Sequence, residues 1–332
     1  MNIVYAVILF LLILPVPAVY GSGNTLWWQG GWISHPSARD GEQILFSRMY
    51  TGLEEVSRAT VSVAANGRYQ LFVNGYNVTT AVMEYGDDVV SQACGGPNAV
   101  GVVVYEVGRF LDADTNVVAL WCSPDNTGRC FASVVFCGYD GFRPLFSYSS
   151  DSLWMCGISG AATSFAGDYD MSGTVYESER HDSRLYNPGW SGYEYETWRW
   201  MGAETSDIAS VRECVPAFRY VPRPVMGTCR AVEHIHDGVF SREGRNSFLF
   251  SFDEYFSGWV RVTLRNMHRG DTVSVNGLGY ICSGETDEQL CRRFTESGQR
   301  VAFVEGERLT KANITNVEGI CVGSRNASAW GY

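Results

Sequence analysis

A chain of 332 residues has room for two globular domains, and a hydrophobic content of 45% with 14% aromatics excludes disorder over most of its length. The formal net charge of −11 excludes sequence-independent nucleic-acid binding, which needs a basic surface to displace counterions, and also adsorption to an anionic membrane.

Residues 1–22 read as a secretory signal peptide. An apolar run from Met1 to Leu14 is followed by Pro15 and Pro17 and by small residues, with cleavage expected near Gly21 to Gly23. The expected destination is secretion, the periplasm or the cell surface. A membrane contact is expected only if the segment stays uncleaved, since Ile3 to Tyr20 is just long enough to span.

Past that segment, short strand patterns separated by Gly, Asn and Asp turns replace helical periodicity, which is the pattern of an all-β protein built from β-sandwiches. Val61 and Val63 alternate with polar residues, Asn66-Gly67 follows, and Tyr69, Leu71 and Val73 share one face of the next strand. This reads as a hairpin closed by Asn-Gly, with a second Asn-Gly at residues 74–75. Further strands are expected over residues 102–107, 116–121 and 132–136. The ten cysteines suit disulfides in an exported chain, and Cys122/Cys130, Cys214/Cys229 and Cys282/Cys291 are spaced to close short loops. Prolines 216, 222 and 224 suit an extended crossing between domains. The expected division is 23–205 for a first sandwich and 206–332 for a second.

Residues 247–264 read as a strand, a short aromatic turn and a second strand. The run Asp253-Glu254-Tyr255-Phe256-Ser257-Gly258-Trp259-Val260-Arg261 resembles the signature of the concanavalin-like β domain of bacterial α-L-rhamnosidases. The order around Ala59 to Gly75, Tyr105 to Leu111 and Asn116 to Trp121 resembles the galactose-binding-like domain that opens those enzymes. Tyr139 to Gly141, Ser150 to Trp154, Tyr176 to Arg184 and Asn187 to Trp190 continue the likeness in the family's order. The resemblance implies two jelly-roll-like sandwiches in tandem. In that family both catalytic carboxylates sit on an all-α barrel that follows, so no catalytic residue carries over to this chain.

Glycoside hydrolysis needs two carboxylates flanking the scissile bond. The acidic groups Asp253/Glu254, Glu285/Asp287/Glu288 and Glu177/Glu179/Asp182 are read as surface charges or ion-pair partners. Glu179, Asp182 and Arg184 stand out, because an Arg can grip a carboxylate with two hydrogen bonds and fix a segment between domains. The aromatics Trp190, Tyr193, Tyr195, Trp198 and Trp200 cluster where the domains should meet. Sugar rings stack their C–H faces on such side chains, so Trp190, Tyr193, Trp198 and Trp200, with Glu179, Asp182 and Arg184, are the candidate carbohydrate-binding residues. The alternative for each ring is a place in a core or in the seam. His234 and His236 share one face of a strand, but no third ligand is legible, so no metal is assigned. No cofactor motif is present.

Three readings follow: a secreted, non-catalytic carbohydrate-associated protein that binds a rhamnose-containing glycan or supports a partner glycoside hydrolase; a hydrolase with its own site at the sandwich junction; and an exported structural or adhesion protein.

Overall fold

Alternation of buried and accessible side chains marks strands such as Ser247–Arg265, Thr272–Val275 and Asp287–Cys291 in this computed structural model, which describes residues 30–79, 84–85, 99–124, 128–164, 178–193, 200–206, 219–223, 229–294 and 297–324. The expected signal peptide, Trp198 and Cys214 lie outside the described residues, as does the Cys229 side chain. Among the described residues the regular structure is strand, apart from 3-10 turns such as Gly108–Phe110 and Lys311–Asn313. The protein is all-β and sandwich-like, as its sequence pattern predicts.

The smaller sheet has seven strands. It runs in the order Glu204–Ser206, Trp32–Ser34, Phe131–Asp140, Arg58–Ala65, Ala99–Glu106, Arg219–Arg223, with Arg143–Ser149 also paired to Phe131–Asp140. After residue 206 the chain therefore returns to this sheet as an edge strand, parallel to Ala99–Glu106, and that edge accommodates Pro222. The larger sheet has sixteen strands and crosses the whole molecule. Its first part is Tyr76–Asn77, Gly67–Val73, Thr115–Pro124, Glu42–Thr51, Met155–Ser164 and Ser178–Asp182. It continues through Leu278–Ile281, Thr272–Val275, Ser297–Gly306, Ser247–Arg265, Ile314–Ser324 and Cys229–Ile235. The join is parallel: Glu179 pairs with Leu278 and Asp182 with Ile281.

Three apolar clusters result. The first lies between the two sheets and includes Ile33, Phe46, Val61, Leu71, Leu120, Val134 and Trp154. The second includes Phe248, Phe252, Val262, Leu278, Leu290 and Val304. It sits where the larger sheet folds over on itself along Ser247–Arg265. The first half of that 19-residue strand pairs with Gly238–Arg242 and with residues 301–305, and its second half with Asp287–Cys291 and residues 314–321. The expected aromatic turn is thus a register shift inside one bent strand, with Asp253, Glu254 and Tyr255 exposed at the bend. The third cluster joins the two halves: Leu45, Val117, Ala119, Trp121, Trp190, Trp259, Phe294 and Ile320.

The first Asn-Gly pair does not close a hairpin. Arg58–Ala65 pairs within the smaller sheet and Gly67–Val73 within the larger, so Asn66 turns the corner from one layer to the other. Its side chain holds that corner: Asn66 Nδ2 donates to the Arg129 carbonyl at 2.8 Å, and Phe131 N donates to Asn66 Oδ1 at 2.7 Å. Both strands keep their apolar faces because they line opposite walls of one core. The second pair does close a hairpin, with Asn74 at φ 51° and Gly75 at φ 83°, the left-handed pair that a two-residue turn requires.

The expected loop-closing disulfides are not formed. Cys122, Cys130, Cys282 and Cys291 are free thiols. Cys122 and Cys130 are both buried in the first core, each as a separate thiol. Cys282 lies in the second core, whereas Cys291 packs against the joining cluster. Burial pushes the Cys282 and Cys291 thiols up to about 12, and Cys122 and Cys130 higher still, so all four stay protonated and unreactive at neutral pH.

Candidate functional site

The parallel pairing of Ser178–Asp182 with Leu278–Ile281 brings the two halves of the molecule edge to edge, and side chains alternate across it. Glu179 points inward and is buried at 2% exposure. Its carboxylate accepts hydrogen bonds from Arg293 N at 3.1 Å, Phe294 N at 2.8 Å and His181 Nε2 at 2.9 Å. A buried carboxylate keeps its charge only when its lone pairs are filled, and here two backbone amides from the far half fill them. Glu179 is therefore a clamp across the seam.

Arg293 follows directly from that clamp. Its guanidinium lies 3.9 Å from the centre of the Trp121 ring, and Nη1 donates to Gln70 Oε1 at 2.9 Å. Burial pulls its basicity below the usual arginine value. The residue is only half-buried, but Nε is fully enclosed and has no hydrogen-bond partner. Trp121 is anchored through Nε1 to Gln43 Oε1 at 2.8 Å, and its ring also meets Tyr186 at 5.4 Å and 30°.

Beside these groups a cleft of about 330 Å³ opens between the halves. Gln70, Ser159, His181, Asp182 and Tyr186 line one wall, and Trp259, Arg261, Gln289, Arg292 and Arg293 line the other. Tyr186 keeps 36% of its surface exposed and lines this opening. A second, larger groove of about 490 Å³ lies on the Arg180 side of the parallel pair, where Glu305 and Glu307 face it with a single aromatic residue, Tyr280.

The sequence-derived candidates divide sharply. Trp190 is 1% exposed, meets Phe72 edge-on at 5.1 Å and stacks on Trp200 at 6.4 Å, so it belongs to the joining cluster. Trp200 covers Gly157, where a Cβ would come within 2.8 Å of the indole. Tyr193 is exposed, and its hydroxyl donates to Asp112. Asp182 and Arg184 form the expected two-pronged ion pair at 2.8 and 2.7 Å, but it is local to one turn. The hydrogen bonds from Arg184 hold the Asp182 carboxyl below the usual carboxylate range. Among the described members of this set only Asp182 lines the cleft. Tyr186, Arg293 and Trp259 were not singled out as ligand contacts. The one legible cue was that Tyr186 stands just before the Asn187 to Trp190 segment.

Two of the other carboxylates, Glu288 and Asp287, are also committed, Asp253, Glu254 and Glu285 are exposed, and Glu177 lies outside the described residues. Glu288 is buried and accepts from Tyr280 Oη at 3.0 Å, Ser283 N at 2.8 Å and Gly284 N at 3.0 Å. Asp287 pairs with Arg265 at 2.7 Å.

No protein-family model matches this sequence. No curated protein matches it either. Solved structures do. An α-L-rhamnosidase from Dictyoglumus thermophilum superposes with a TM-score of 0.71 at 16% identity, covering 89% of this chain and 36% of the enzyme. One from Aspergillus terreus gives 0.69 at 17%, over 89% and 36% of the two chains. One from Streptomyces avermitilis, complexed with L-rhamnose, gives 0.67 at 16%, over 86% and 29%. These likenesses establish a shared fold. The chain spans about a third of the length of the rhamnosidases it matches.

Proposed function

We propose that this chain is a non-catalytic, carbohydrate-associated β-sandwich protein that holds a sugar in the cleft beside Tyr186. The observation that carries the reading is the chemistry of that cleft, in which a partly exposed phenol ring stands among guanidinium and amide groups. A pyranose ring needs that pairing, because its C–H face stacks on the aromatic while its hydroxyls take hydrogen bonds from the rim. A volume of about 330 Å³ lies at the small end of ligand sites and suits a short glycan.

Rhamnose-containing oligosaccharides are the first probes, given the fold shared with α-L-rhamnosidases. Titration calorimetry should show binding that weakens about tenfold or more in Tyr186→Ala. Absence of binding across a glycan panel, or equal binding by that variant, would sink the reading. Support of a partner glycoside hydrolase remains part of the proposal, because the matched rhamnosidases carry this fold as about a third of a longer chain. Export is likewise proposed from the apolar start of the sequence, and N-terminal sequencing of protein recovered outside the cell tests it.

A further inference from the structure

His234 and His236 bracket the end of the Cys229–Ile235 strand, and alternation puts their rings on one face while Ile235, 7% exposed, enters the second core. The neighbouring strand, Ile314–Ser324, pairs His234 with Ile320 and Ile235 with Gly319, so the next step of that register brings Glu318 beside His236. The nearest ring nitrogens and the carboxylate meet there. His234 Nδ1 lies 3.0 Å from Glu318 Oε2, His236 Nε2 lies 3.8 Å from the same oxygen, and all three ligand atoms fall within 4.8 Å of one another. The two imidazoles are stacked at 6.3 Å and 21°.

The carboxylate is oriented for this. Its other oxygen, Oε1, accepts from Arg261 Nε at 2.5 Å and from Asn316 Nδ2 at 3.4 Å, leaving Oε2 turned toward the imidazoles. Such outer partners fix the angle of a ligating carboxylate. Glu318 is 5% exposed in its side chain, whereas His234 and His236 are 44% and 57% exposed and free to adjust. Tetrahedral ligands about 2.1 Å from an ion lie about 3.4 Å apart, which small rotations of the two exposed rings supply.

We propose that His234, His236 and Glu318 form a binding site for one divalent transition-metal ion of the zinc class. Two imidazoles and one carboxylate are a donor set suited to zinc, copper or nickel rather than to calcium or magnesium. Three protein ligands leave a coordination position for water or a further ligand. The site stands on the same face as the cleft, because Arg261 both lines that cleft and holds Glu318. It does not depend on sugar binding.

The test titrates Zn²⁺ into the full chain at pH 7.5, by calorimetry and by thermal melting, with Co²⁺ absorption as a spectroscopic check. One equivalent should bind and raise the melting midpoint, and Co²⁺ should give visible d–d bands. His236→Ala and His234→Ala should each abolish all three signals, while His268→Ala, at a remote exposed imidazole, leaves them intact. His236→Ala alone decides the matter if the His234 variant does not fold. No binding to the native chain, or zinc that stays bound in a folded His236→Ala variant, overturns the proposal and leaves only an imidazole–carboxylate ion pair.

Discussion

Two carboxylates, Glu179 and Glu318, take structural weight out of proportion to their size. Removing Glu179 strands two backbone amides of the other half and the His181 imidazole in a buried setting, so Glu179→Ala should lower stability by about 3–5 kcal/mol in urea titrations. For Glu318, burial pushes the carboxyl up, but hydrogen bonds from Arg261 and His234 outweigh it and hold the group below its ordinary value of 4.5. A depressed folded value means the contribution is whole above 4.5 and fades as pH falls through the lowered value. In metal-free buffer Glu318→Gln should therefore cost about 1.5–3 kcal/mol at pH 7, and urea midpoints of variant and native chain should converge below pH 4.5. At this scale the sequence was half legible. Glu179 stood out through its neighbours, yet its partners at Arg293 and Phe294 lie more than a hundred residues away. Glu318 had no local cue linking it to His234, 84 residues earlier, or to His236.

Strand patterns were the most legible feature, and the connections between them the least. The two Asn-Gly pairs at 66–67 and 74–75 look alike in sequence but do different work. At Asn74-Gly75 both residues are left-handed, so Gly75→Ala should cost about 1 kcal/mol, from backbone strain alone because open space surrounds the glycine. At Asn66 the side-chain amide fixes the corner between layers, so Asn66→Ala should cost about 2 kcal/mol, leaving buried Phe131 N unpaired. Denaturant midpoints of the two variants give the comparison directly. Apolar alternation in Arg58–Ala65 and Gly67–Val73 could not tell a hairpin from a crossing, because either arrangement buries the same faces. The bend in Ser247–Arg265 was hidden for a related reason. Three exposed residues in a row read as a turn, yet a bulge interrupts the same alternation without ending the strand.

Across the whole molecule, the larger sheet makes the two cores one mechanical unit. The run Val117-Val118-Ala119-Leu120-Trp121-Cys122 is buried at every position, which is the sequence mark of a strand covered on both faces. Val118 and Leu120 face the first core, whereas Val117, Ala119 and Trp121 face the joining cluster, so the first sandwich exposes a large apolar area unless the second covers it. That pattern was visible in the sequence as an uninterrupted apolar strand, but what covered its outer face was not, because Trp259, Phe294 and Ile320 reach it from far along the chain. Contacts between domains are often loose enough for each to melt alone. Here a parallel strand pair, a buried carboxylate clamp and an aromatic cluster act together, and calorimetry of the native chain should show a single transition with equal calorimetric and van't Hoff enthalpies. Trp259→Ala, which opens a cavity in the seam and leaves both cores intact, should lower stability by about 3–5 kcal/mol and split that transition in two. Two transitions already present in the native chain would mean that the seam couples the halves only weakly, and the cleft between them would then lose the rigid walls on which sugar binding depends.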